Sequence, residues 1–234
     1  LVLVEHFLAI ISRVSQIRDC VSPSVWYIEY YRRSNPWLQL YGDPPHVIGF
    51  LLQIINFIST MNWSYMNILI ISVSIYLESI LNEINKVIVS TSEKNSSPNQ
   101  WKLLREDYYK ATCLVRSVDD VISGVLLMSF ASNLFFICYQ LFYVLAPFYG
   151  YEYSIYLTFS IFYLWIRWLT VFMAASNIHT ASSKPLIALF DVPSASYCSE
   201  ISRLIYQINN STVALSGLRF FYVTRNMLLP ITLN

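Results

Sequence analysis

Charge is scarce in this chain. Asp, Glu, Lys and Arg make up 12% of its 234 residues, while hydrophobic residues make up 56% and the mean hydropathy is +0.48. A soluble domain carries about 25% charge, so half of that points to lipid as the main solvent. The net charge of +1 lacks the clustered basic excess of a nucleic-acid footprint, and no nucleic-acid partner is expected. Glycine is also rare, with five residues, which argues against a phosphate-cradling loop. No Walker loop, GxGxxG or HExxH occurs. His6, His46 and His179 lie far apart in sequence, and Cys20, Cys113, Cys138 and Cys198 form no CxxC pair. The cysteines read as unpaired thiols in or near membrane helices. No enzyme, metal or cofactor is expected.

Long apolar runs are what the chain has instead. A membrane span needs roughly 20 mostly apolar residues. Residues 44–77 and 121–151 contain no Asp, Glu, Lys or Arg, and 153–178 contains only Arg167. These runs predict spans over 46–72, 123–147 and 153–178. Residues 1–12 are too short for a span and hold Glu5, so they read as the end of one. Residues 213–234 read as the start of another. With no initiator Met and an apolar first run, the sequence is expected to be a piece of a longer reading frame.

Basic residues orient the spans. Lys86, Lys94, Lys102, Arg105, Lys110 and Arg116 follow the first full span, and Lys184, Arg203, Arg219 and Arg225 follow the third. The turn "FYGYEY" holds none. Segments 73–122 and 179–212 are therefore expected in the cytoplasm, with 13–45 and 148–152 outside. Arg167 would then reach toward the inner surface. The four arginines of 13–45 oppose this assignment, and Asp19, Glu29 and Asp43 offset them in part. The sequons at Asn62, Asn95, Asn209 and Asn210 would lie in the membrane or cytosol, where they are not glycosylated.

The cytoplasmic segments carry helical apolar periodicity. Leu77, Ile80, Leu81, Ile84, Val87 and Ile88 share a face that prolongs the first span. Leu104, Tyr108, Ala111, Val115, Val118 and Ile122 lead into the second, and the polar stretch "STSEKNSSPNQ" separates the two. Tyr197, Ile201, Leu204, Ile205 and Ile208 form a third face. Such faces need partners, so a helical bundle beneath the membrane is expected.

Polar residues inside the spans carry the functional information. Gln53, Asn56, Thr60, Trp63 and Asn67 recur at spacings of three and four, which places them on one helix face. Ser129, Asn133 and Gln140 form a second stripe, and Tyr153, Tyr156, Ser160 and Tyr163 a third. Amides and phenols in lipid are costly without partners. Two arrangements satisfy them: hydrogen bonds between helices, or a hydrated pocket opening outward. A lining of amides, hydroxyls and rings suits a neutral polyol, because amides both donate to and accept from hydroxyls.

Several segments together resemble insect gustatory receptors of the sugar-taste subfamily. "EHFLAIISR" resembles the end of the family's third helix and "NFISTMNWSYMNILIISVSIYLESILNEIN" its fourth. "WKLLREDYYKATCLVRSVDDVISGVLLMSFASNLFFICYQL" is similar to a cytoplasmic helix plus the fifth, and "FSIFYLWIRWLTVFMAASNIHTASSKPL" to the sixth. "DVPSASYCSEISRLIYQI" resembles the next cytoplasmic helix, and "VALSGLRFFYVTRNMLL" the start of the last. The resemblance implies an all-α, multi-pass plasma-membrane protein with seven helices and a cytoplasmic amino terminus. It also implies a tetrameric ligand-gated cation channel, assembled with like or other receptor subunits. The implied ligand is a small neutral sugar, bound in a pocket open to the outside. On the stripes, that pocket is carried to Gln53, Asn56, Trp63, Asn67, Asn133, Gln140, Tyr156 and Tyr163. Where the family has Trp-Asn-Phe-Met-Asp, this chain reads Trp63-Ser64-Tyr65-Met66-Asn67, which keeps a hydrogen-bonding group but removes a charge. Two other classes predict different features. A metabotropic receptor requires the reverse topology, and a transporter of small polar solutes usually shows internal repeats.

Overall fold

The computed structural model describes residues 2–18, 26–35, 46–94, 97–145 and 151–227. Cys20, Asn95, residues 148–150 of the expected outer turn and 228–234 of the expected last helix lie outside them. The helices are α1 (Val2–Arg18), α2 (Trp26–Ser34), α3 (His46–Ser92), α4 (Pro98–Val144), α5 (Tyr151–Ser183), α6 (Pro185–Phe190) and α7 (Ser199–Asn210). Among the described residues there is no strand, only one antiparallel bridge between Ser216 and Tyr222. Among the described residues three helical stretches are long and apolar enough to cross a membrane: Val47–Ser92, Pro98–Val144 and Tyr151–Phe190.

The lengths follow from where helix breakers fall. No Gly or Pro interrupts α3 after Gly49, and α5 has neither. At 1.5 Å per residue, the 47 residues of α3 span about 70 Å, more than twice a hydrocarbon core of about 30 Å. The polar stretch separating α3 from α4 ends at Ser97-Pro98. Pro at the first helical position gives up an N–H that has no helical partner. The Ser97 backbone N–H donates to Gln100 Oε1 at 3.2 Å, one half of a capping box.

The chain forms two compact units. One comprises Leu1–Met66 with Ala131–Trp168, the other Asn67–Phe130 with Leu169–Asn234. In the first, the structure differs from the expected outer loop over 13–45. There α1 continues to Arg18 and α2 forms a further helix, helped by the Glu29–Arg32 pair one turn apart at 3.6 Å. Helix α2 seats its Tyr31 ring on Gly49 of α3, where an added Cβ would lie 2.4–2.7 Å from the ring carbons.

In the second unit the apolar faces of α3, α4, α6 and α7 meet. Ile88, Trp101, Leu104, Tyr108, Leu189, Val192, Ile201, Leu204 and Ile208 form one buried cluster. Burying a Leu or Ile side chain contributes about 1.5–3 kcal/mol, so these contacts hold α7 in place. Val87 and Tyr197, placed on the apolar faces by periodicity, are exposed instead. Tyr197 lies before α7 begins. The Tyr108 hydroxyl donates to the Ser182 carbonyl at 2.9 Å, and Asn85 donates to the Ala181 carbonyl at 2.8 Å.

The largest departure from expectation lies at 213–227, where a helix was expected to begin and the chain makes a hairpin. Val223 N–H donates to Leu215 O at 2.8 Å, Gly217 N–H to Phe221 O at 3.0 Å, and Phe220 N–H to Gly217 O at 3.0 Å. The two central residues, Leu218 (φ 49°) and Arg219 (φ 62°), are left-handed, as a type I′ turn requires. Asp119 of α4 explains why a sequence without Asn-Gly folds this way. Its buried carboxylate accepts the Ser216 backbone N–H at 2.6 Å and the Ser216 hydroxyl at 2.8 Å. Next to it, Arg219 donates to Asp120 at 2.6 Å.

Candidate functional site

A cavity of about 930 Å³ opens within the first unit, walled by α1, α2, α3, α4 and α5. Five of the eight residues selected by sequence line it: Gln53, Asn56, Trp63, Gln140 and Tyr156. The spacing of three to four along α3 is what brings Gln53, Asn56, Thr60 and Trp63 to one wall. Gln53 accepts a hydrogen bond from the Tyr30 hydroxyl at 3.2 Å. Asn56 leaves its side chain exposed, while its carbonyl takes the Thr60 hydroxyl at 3.0 Å. Tyr156 tilts against Tyr153 with centroids 6.3 Å apart.

Trp63 is held from two directions. The Arg167 guanidinium carbon lies 4.0 Å from its ring centroid, and the Phe136 ring lies at 4.8 Å. This cation–π contact contributes about 0.5–2 kcal/mol and gives the half-buried Arg167 an aromatic neighbour at depth. A ring covered so closely offers the cavity its edge more readily than a face. Tyr139 and Tyr143 also line the cavity, edge-on to each other at 4.8 Å with their hydroxyls bonded at 3.1 Å.

The structure does not bring the other three selected residues to the cavity wall. Asn67 lies in the second unit and accepts the Ser129 hydroxyl, an inter-helix bond between α3 and α4. Asn133 is fully buried and is not a lining residue. Tyr163 stacks on Phe159, one helical turn away, with ring planes at 5°.

Residues that sequence reasoning passed over complete the wall. Helix α1 supplies Glu5, His6, Arg13 and Gln16, and α2 supplies Tyr30. Glu5 accepts the Ser160 hydroxyl at 2.9 Å, and Ser160 in turn accepts from Gln140 Nε2 at 2.6 Å. His6 meets Phe57 edge-on at 5.5 Å. The available signal was the charge of Glu5 and Arg13 within the first, largely apolar run of α1. Among the described residues no cluster of His, Cys, Asp and Glu has the makings of a metal site.

The arrangement suits recognition of an uncharged, hydroxyl-rich molecule. Amide, hydroxyl and phenol groups face one space, and the carboxylate of Glu5 is accompanied by the guanidinium of Arg13. Sites of about 300–1,000 Å³ hold small molecules, and this one falls within that range.

Comparison with known proteins places the chain. The model of a family described as trehalose receptor matches residues 1–233. Among relatives in Drosophila melanogaster, gustatory receptor for sugar taste 64f is 30% identical over 227 residues, covering 97% of this chain and 48% of the relative. Gustatory receptor 5a for trehalose is 32% identical, covering 97% and 51%, and gustatory receptor for sugar taste 64a is 34% identical, covering 96% and 50%. The chain spans about half the length of the curated relatives it matches. With almost every residue accounted for by one family model, this multi-pass membrane chain belongs to the trehalose receptor family of gustatory receptors.

Proposed function

We propose that the chain is the sugar-sensing part of a sweet-taste receptor subunit, acting as a ligand-gated cation channel in the plasma membrane. The cavity in the first unit is the observation that carries this reading, since its amides, hydroxyls and phenols match a neutral sugar. Membership of a family whose named relatives sense sugar and trehalose supports it. In this reading the whole receptor has seven helices, a cytoplasmic amino terminus and four subunits, alike or mixed. Lys86, Lys94, Lys102, Arg105, Lys110 and Arg116 then face the cytoplasm, as the positive-inside tendency favours.

The mechanism is a population shift. Sugar bound in the cavity favours the open channel only by the difference between its affinities for the open and closed states. Moving a channel from 1:99 to 99:1 needs about 5.5 kcal/mol of such discrimination. Weak binding at high sugar concentration suffices if that difference is kept.

The test is to express the full-length receptor, alone and with partner subunits, and record currents against trehalose, sucrose, maltose and glucose. Current is expected with at least one of them, and Gln53→Ala should raise the half-maximal concentration. A receptor that is present at the cell surface and silent to every sugar overturns the reading.

A further inference from the structure

The residue in the cavity with the most constrained chemistry is Glu5. Its carboxylate accepts the Ser160 hydroxyl at 2.9 Å. An ionised carboxylate only accepts, so the single proton of Ser160 is committed to it. The Ser160 oxygen is then left to accept, and Gln140 approaches it with Nε2 at 2.6 Å beside the Tyr156 hydroxyl, its other partner. This chain of donors fixes the orientation of the Gln140 amide. Ser160 is 0% exposed and Gln140 8%, so neither exchanges its partner with bulk water. The fixed amide leaves Gln140 Oε1 buried with no hydrogen-bond partner. Among the described residues Glu5 makes no ion pair, and one bond uses only a fraction of the roughly four lone-pair positions of a carboxylate.

We infer that Glu5, oriented through Ser160 and Gln140, is a specificity-determining residue that reads the hydroxyl pattern of the bound sugar. This rests on the sugar-receptor reading above. Glu5 accepts one sugar hydroxyl, and the orphaned oxygen of Gln140, held at the cavity wall, accepts a neighbouring one. Both protein atoms are acceptors, so the site requires two hydroxyl donors close together, as a vicinal diol presents. An analogue with hydrogen or a methyl ether at either position leaves an acceptor unpaired. Such mismatches are discriminated more strongly than missing methylene groups, because a buried polar group loses its partner. An organic ammonium ion would also be drawn to Glu5, but Arg13 lines the same cavity and opposes a cation.

The test uses the full-length receptor, surface labelling, and currents evoked by trehalose, sucrose and maltose. Each monodeoxy analogue of the responding sugars is then compared with its parent. In the wild type, one or two adjacent deoxy positions should raise the half-maximal concentration about 10- to 100-fold, the effect of one lost charge-assisted hydrogen bond. Glu5→Gln should weaken the response to the parent sugar and compress that ratio toward one, while Glu5→Asp should keep the ratio. Should Glu5→Gln fail to reach the surface, Ser160→Ala and Gln140→Leu carry the test, since each should also compress the ratio. Unchanged ratios in all surface-expressed variants overturn the role of Glu5 and leave the sugar reading intact. A wild-type receptor at the surface that answers no sugar overturns both.

Discussion

Replacing Asp119 by Ala should open the hairpin over 215–223, and the structure gives the size of the effect. Hydrogen bonds to charged groups contribute about 1.5–3 kcal/mol each. Asp119 makes two, to the backbone N–H and the hydroxyl of Ser216, so the latch is worth about 3–6 kcal/mol. It works against the turn it holds. Left-handed backbone at a residue with a Cβ costs roughly 1–2 kcal/mol, and Leu218 and Arg219 together carry about 2–4 kcal/mol. Without the carboxylate the two contributions no longer offset each other. Hydrogen–deuterium exchange on the full-length receptor in lipid nanodiscs measures this directly, read over peptides covering 213–224. Losing about 3 kcal/mol of protection corresponds to exchange roughly a hundredfold faster. Asp119→Asn keeps one acceptor oxygen without the charge and should fall between Ala and wild type. Adding Leu218→Gly, which removes the left-handed penalty, should restore part of the protection in the Asn background. Unchanged exchange in Asp119→Ala, or no rescue by glycine, would refute the reasoning.

Two further outcomes follow from the second unit. The Glu200 carboxyl accepts from Arg105 at 2.8 Å and from Arg203 at 2.7 Å. The hydrogen bond from Arg105, with the charge of Arg203 adding to it, holds this carboxyl below its ordinary value. A depressed carboxylate contributes stability that is present above its unfolded value of about 4.3 and lost as pH falls through the folded one. Melting temperature should therefore drop on acidification below about pH 5, and Glu200→Gln should flatten that drop; equal slopes would count against the pairing. For the apolar cluster, Leu204→Ala should destabilise by about 2–5 kcal/mol and Val87→Ala by no more than about 0.5 kcal/mol, as measured by thermal unfolding in detergent.

How much of this was legible in the sequence depends on which force decides each feature. The long helices were legible because apolar composition and the absence of helix breakers act along one segment. Leu104, Tyr108, Ala111 and Val115 were legible for the same reason, since their period of 3.6 is a local property and all four are buried. The hairpin was not. Val213, Leu215, Leu218, Phe220 and Phe221 give the composition of a membrane helix, and the residue that overrides it, Asp119, lies 97 positions from Ser216. Helix α2 was missed because a nine-residue stretch rich in Tyr and Arg has little of its own to mark it, and gains its seat from Gly49. In the cavity, the α3 stripe lines the wall down to Trp63 and leaves it one turn later at Asn67. A helix face keeps its direction along the rod, but its neighbours change, and sequence periodicity carries no record of where one set of partners ends. Glu5 was noticed only as an obstacle to a span. Its hydrogen bond becomes visible when α5 brings Ser160 to it.

The fit of Tyr31 on Gly49 has a consequence for timing. Any side chain at position 49 displaces the Tyr31 ring, and Tyr30, the adjacent residue, supplies the hydroxyl that closes on Gln53 at the cavity wall. Position 49 is not among the lining residues, so a substitution there replaces no recognising group and acts by loosening the helix that carries Tyr30. On the sugar-receptor proposal, its effect would fall on how long a ligand dwells and how fast the next one enters more than on the preference among sugars. The smallest residue of α3 would then set a clock for a site whose chemistry belongs to its neighbours.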